Sequence, residues 1–151
     1  MNRRSPARHL LTSIAAAALA TTAAAQSMVS IDRPEVNLRA GAGTQHEALW
    51  VVRQGYPLQV TGRQGLWLKV RDFENDEAWV YRPLTARTPH HVVTVETANI
   101  RSQPSTRSRI VGQARYGQVL RTLEKRPSWV RVRQEDGGAT GWVARRLLWG
   151  W

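Results

Sequence analysis

Apolar and polar residues alternate in short runs along most of this chain, and glycine, proline and acidic residues separate the runs. Val130 and Val132 alternate with Trp129, Arg131 and Arg133, just as Leu66, Leu68 and Val70 alternate with Trp67, Lys69 and Arg71. A period of two with aliphatic side chains on one side marks a strand with one buried face. Asp136-Gly137-Gly138 is a tight-turn sequence after the later run, and Asp72 to Glu77 occupies the same place after the earlier one. Helical spacing is nowhere sustained beyond residue 25. Short strands with turn-rich connections predict an all-β protein built as small barrels or sandwiches.

The pattern occurs twice. Val36-Asn37-Leu38-Arg39 with the loop after it returns as Ala98-Asn99-Ile100-Arg101. Gly55 and Trp67 return 62 positions on as Gly117 and Trp129, and Trp79 returns 63 positions on as Trp142. A fixed period marks a duplicated folding unit. The joint falls near Thr85 to His91, between Pro83 and Pro89, which predicts one barrel over 26–89 and a second over 90–151. A unit of this size buries only about 60% of its extended-chain surface, so large apolar side chains matter. The seven tryptophans are expected to supply that payload. Gly55 and Gly117 are expected at turns that other residues would strain.

Residues 1–25 carry a different signal. Arg3, Arg4 and Arg8 precede an apolar stretch from Leu10 to Ala20, and Ala23-Ala24-Ala25 offers a small-residue cleavage site. This is the pattern of a secretory signal peptide, and its apolar run is well short of the roughly 20 residues that span a bilayer. The prediction is an exported protein, periplasmic or otherwise extracytoplasmic, with no transmembrane anchor. Arg3-Arg4 fits a twin-arginine route, but Ser5-Pro6-Ala7 lacks the bulky apolar residue that signal usually wants, which favours the general secretory route.

Charge separates the two units. The full chain carries 22 basic and 11 acidic side chains, and without Arg3, Arg4 and Arg8 the net charge is +8. Residues 26–96 balance, whereas residues 97–151 hold eleven basic side chains against Glu124, Glu135 and Asp136. All the excess therefore lies in the second unit, either as a docking face for anions or as a solubilising surface. The chain contains no cysteine, which excludes disulfides and thiol chemistry.

Asn followed by an aliphatic residue and Arg, a Gly about sixteen residues later, Trp-x-x-Val and a closing Gly-Trp-Val together resemble the bacterial SH3-like domain. Both units match, the second through Gly141-Trp142-Val143 and the first through Ala78-Trp79-Val80. The resemblance implies a five- to six-stranded, partly open barrel. It further implies a binding module for wall peptides or protein partners, without an enzyme domain.

If Val130 and Val132 face inward, Trp129 shares the outer face with Arg131 and Arg133, and Trp67 shares its face with Lys69 and Arg71. These six residues are the candidate ligand site, with Trp79 and Trp142 as further candidates. The indoles either serve as ligand platforms or cover barrel ends and stack on neighbouring arginines. Asn37, Asn99, Arg39 and Arg101 are expected to fix the first loop of each unit instead. No catalytic residue is apparent, because adjacent His90 and His91 point to opposite sides of a strand and neither a triad nor a zinc cluster forms around them or His46. Asp72, Glu74 and Asp76 alternate like a calcium loop. However, no Gly follows Asp76, and Pro83 stands where a bidentate Glu is required, so neither a metal nor another cofactor is expected.

Three function classes remain. A non-catalytic, monomeric envelope protein that recognises wall peptide or an envelope protein segment in an aromatic groove fits best. The alternative is an electrostatic binder of envelope polyanions, glycolipid phosphates or wall polymers, through the second unit. A hydrolase or its regulator is third. Nucleic acid is not expected as a partner, because export removes the chain from it.

Overall fold

The structure is a computed structural model that describes residues 26–151; the expected signal peptide lies outside the described residues. In the first copy the strands are β1 (Met28–Ile31), β2 (Glu35–Arg39), β3 (Ala48–Arg53), β4 (Pro57–Gln64), β5 (Trp67–Arg71), β6 (Glu77–Tyr81) and β7 (Thr85–Ala86). In the second they are β8 (His90–Val93), β9 (Thr97–Arg101), β10 (Ile110–Arg115), β11 (Val119–Lys125), β12 (Trp129–Gln134), β13 (Thr140–Ala144) and β14 (Leu148–Gly150). Single 3-10 turns, Arg82–Leu84 and Arg145–Leu147, precede the last strand of each copy.

The two sheets repeat one topology, β3-β2-β6-β5-β4-β1-β7 and β10-β9-β13-β12-β11-β8-β14. Each contains an antiparallel meander of three strands, β4-β5-β6 or β11-β12-β13, whose last member also meets β2 or β9. Both copies carry a register shift in the same strand, between Val60 and Gly62 in β4 and between Thr122 and Glu124 in β11. A bulge there bends the strand and lets a small sheet curl. The fold is therefore all-β, two small SH3-like barrels in tandem.

Each barrel has its own core. Leu38, Leu58, Val70 and Val80 lie at the centre of the first and Ile100, Leu120, Val130 and Val143 at the centre of the second, all 0–1% exposed. Of the tryptophans expected to supply the cores, only Trp142 is buried, at 7% exposed. Neither cluster contains an indole, and Trp50 only packs against the first from a half-buried position. The interior of so small a barrel takes Val, Leu, Ile and Ala, and the larger rings are left to cover its outside. Leu66 also departs from expectation, being 46% exposed. It sits with Gly65 (φ +58°) in the β4–β5 turn, one residue before the alternation begins at Trp67.

The barrels meet through specific contacts. Tyr116 Oη of the second barrel donates to Glu74 Oε1 of the first at 2.7 Å, and Ser30 Oγ of β1 holds the connecting segment by donating to the Thr88 carbonyl at 2.8 Å. Rings of Tyr56, Phe73 and Tyr116 follow one another with centroids 6.4 and 5.5 Å apart. Gly55 and Gly117 occupy equivalent turns with φ +84° and +76°, the left-handed region that glycine tolerates best. A Cβ on Gly55 would also lie 2.9 Å from His90 Nε2, whereas Gly117 faces open space.

His90 and His91 are both buried in β8 and take different partners. His90 Nδ1 lies 2.9 Å from the Thr88 carbonyl and its Nε2 lies 3.4 Å from Glu135 Oε1. His91 Nδ1 lies 2.6 Å from Thr122 Oγ1. Burial is the main cause that lowers the His91 pKa to about 4; a hydrogen bond that the ring donates to the Trp151 backbone opposes it, and the charges of Arg145 and Lys125 add to it.

Candidate functional site

Cross-strand register decides which of the candidate residues meet. Trp67 on β5 faces Tyr81 on β6, with ring centroids 5.4 Å apart and planes tilted by 50°. This pair lines a groove of about 650 Å³ whose other walls include Glu35, Asn37, Arg39, Thr44 and Gln45. The 40–47 loop is held in place by Arg39, whose Nη1 donates to the carbonyls of Thr44 (3.2 Å) and His46 (2.9 Å). Arg101 does the same in the second barrel, donating to the Ser108 carbonyl at 2.9 Å. These arginines fix the first loop of each barrel, as expected, but Asn37 and Arg39 also line the groove, a role their sequence position does not suggest.

The second barrel has a groove of about 580 Å³ in the same place, lined by Thr106, Pro127, Ser128, Trp129, Arg145 and Arg146 among others. Its cross-strand partner for Trp129 is Ala144, so the aromatic pair of the first barrel is reduced to one ring beside two exposed guanidinium groups. Trp67 and Trp129 are half-buried rather than sealed in the cores.

The other candidates do not join these grooves. Lys69, Arg71, Arg131 and Arg133 lie on the outer face of the sheet. Lys69 Nζ is 3.0 Å from Glu77 Oε2, and Arg71 donates through Nε (3.1 Å) and Nη2 to Gln59 Oε1. Trp79 is half-buried between Lys69 and Arg39 in the cross-strand register. Trp142 is not an accessible platform. It is 7% exposed, and the Arg126 guanidinium lies 4.5 Å from its ring centroid, so its face is already occupied by a cation-π contact.

Sequence alternation missed Tyr81, because strand parity says nothing about which residue a neighbouring strand sets opposite Trp67. Its only signal was the aromatic position directly after Trp79-Val80. The acidic run at Asp72 holds three carboxylates with ligand atoms within 4.8 Å of one another. Asp72 Oδ1 accepts the backbone N–H groups of Glu74 and Asp76 at 2.9 Å each, and Glu74 accepts Tyr116, so this cluster shapes a turn and the junction between barrels. Among the described residues no helix is long and apolar enough to cross a membrane.

Comparison with known proteins follows the repeat. A putative N-acetylmuramoyl-L-alanine amidase, YrvJ of Bacillus subtilis, is 23% identical over 136 residues, covering 83% of this chain and 26% of the amidase. The chain thus spans about a quarter of that relative's length. Among solved structures, NlpC2 from Trichomonas vaginalis superposes with a TM-score of 0.38 at 16% identity, over 83% of this chain and 48% of that one. An NlpC/P60 family protein from Bacillus cereus gives 0.34 at 17%, over 82% and 56%. Residues 34–85 and 96–148 each match the bacterial SH3 domain, and the chain belongs to that family as a tandem pair.

Proposed function

We propose that this chain is a non-catalytic, extracytoplasmic binding protein that holds an extended wall peptide, or a peptide segment of an envelope protein, in the Trp67–Tyr81 groove. The observation that carries this reading is the groove itself. Two tilted rings offer apolar faces to backbone and small side chains, while Glu35 and Arg39 stand on its walls with opposite charges. Such a lining suits a peptide with both an ammonium and a carboxylate, since each charge meets its opposite at low desolvation cost. The amidase relative, named for the bond between muramic acid and L-alanine, supports a ligand from the same polymer. The Trp129 groove, with one ring fewer, contributes less and raises avidity when both engage.

Sedimentation of the chain from Gln26 onward with purified peptidoglycan tests this. Trp67→Ala is expected to remove most of the bound fraction and Trp129→Ala a smaller part, while thermal unfolding of both variants stays cooperative. Undiminished binding by the double variant would overturn the reading, as would release of muropeptides by the wild-type chain.

A further inference from the structure

The outer face of the second barrel contains a ladder position at which two like charges stand directly opposite each other. Arg121 on β11 faces Arg133 on β12. In an antiparallel pair such residues project to the same side, with Cβ atoms about 4.5–5.5 Å apart, and like charges there are destabilising. The first barrel solves the same position differently. Gln59 stands opposite Arg71 and accepts two hydrogen bonds from its guanidinium. One step along the sheet Lys69 is paired with Glu77, but the second barrel has Arg131 and Thr140 at these places. The duplication has therefore replaced both acceptors, one by a third cation and one by a neutral hydroxyl.

Among the described residues no acceptor pairs with these guanidinium groups directly: no carboxylate comes within 4 Å of Arg121, Arg131 or Arg133, and none of the three guanidinium groups makes a hydrogen bond. The acids around this face already have partners: Glu124 lies 3.0 Å from Arg126, and of the two that share a cleft with Arg121, Asp32 lies 3.0 Å from Arg33 and Glu135 lies against His90. A face that merely needed solubility would spread its cations; this one stacks two across a single rung, with a third two residues along. We propose that Arg121 and Arg133, flanked by Arg131, form a binding site for a phosphate group. A guanidinium presents its donors as a planar fork that matches phosphate oxygens two at a time. Two forks on adjacent strands converge on one anion, which supplies the acceptor that Gln59 provides in the first barrel. This site lies away from both aromatic grooves and uses a residue, Arg121, that they do not touch.

The test follows the Arg Nε–Hε signals of the 15N-labelled chain from Gln26 onward during titration with sodium phosphate, with sodium chloride at matched ionic strength as reference. Saturable shifts confined to Arg121, Arg131 and Arg133 are expected with phosphate and not with chloride. Arg121→Gln, which installs the first barrel's own residue, should weaken them about tenfold or more, and Arg121→Lys should fail to restore them because it keeps the charge but loses the fork. Equal shifts in chloride, or unchanged affinity in Arg121→Gln, would overturn the site. Vesicles of phosphatidylcholine with and without phosphatidylglycerol, set against soluble poly(glycerol phosphate), separate a lipid source of the phosphate from a polymer source; in either arm Arg121→Gln must weaken binding by the same factor. Trp67→Ala is expected to leave the phosphate response intact, so failure of the peptide groove and failure of this site are distinguishable.

Discussion

In the first barrel Arg71 is bonded to Gln59 and Lys69 to Glu77, and the outer face is electrically closed. At the same positions the second barrel places Arg133 between Arg121 and Thr140, with Arg131 opposite Trp142, and the face is open to counter-ions. Strand order, bulge position, turn glycines and loop-fixing arginines are shared by the two. The bulges, turn glycines and loop-fixing arginines present in both copies therefore describe what a barrel of this size needs, and residues that differ describe what sets each copy apart. The aromatic pair is confined to the first copy and the arginine rung to the second, so the duplication produced two dissimilar surfaces on one scaffold.

Three experiments sharpen or break that contrast. The largest effect is expected in the cores, where the copies are alike. Leu38→Ala and Ile100→Ala remove equivalent fully buried side chains, and each should cost about 2–5 kcal/mol. Amide hydrogen exchange should show the loss mainly in the barrel that carries the substitution; equal loss in both would mean that the junction makes them one cooperative unit.

Next comes acid. His91 has Val29 as its counterpart in the first barrel, and its pKa is held near 4 because the charged ring is costly to bury. Between pH 6.5 and 4 the unfolded chain binds a proton that the folded one refuses. Stability from this group is thus fully present above about 6.5 and declines as the pH falls to 4, by on the order of 3 kcal/mol. The decline should be confined to the second barrel and disappear in His91→Phe; an equal pH slope in that variant would refute it. The smallest effect concerns Arg121→Gln, which relieves a cross-strand repulsion. It should stabilise the second barrel by a few tenths of a kcal/mol in low salt, less in high salt, as read from urea midpoints.

Much of this architecture was legible in the sequence. The duplication, the strands and the outward set of Trp129, Arg131 and Arg133 follow from period-two alternation, because Val130 and Val132 can only be buried on one side. Alternation assigns a face and nothing more. It cannot say that Tyr81 comes to lie opposite Trp67, or Arg121 opposite Arg133, since both depend on register between strands. Trp142 shows the same limit. Its parity set it on the face opposite Val143, yet it is buried, because Arg126 from the connection before β12 covers it. The tryptophan cores failed for a different reason: composition counts apolar bulk without asking whether the enclosed space can admit an indole.

The twin turns at Gly55 and Gly117 began as copies, and the second barrel has since closed over only one of them. Gly117 keeps a single constraint, its backbone twist, so Asn is a tolerable replacement there. Gly55 answers additionally to the imidazole of His90 pressed against it. A side chain at that position would have to displace the ring, so the seam between the repeats constrains one turn and leaves its twin free.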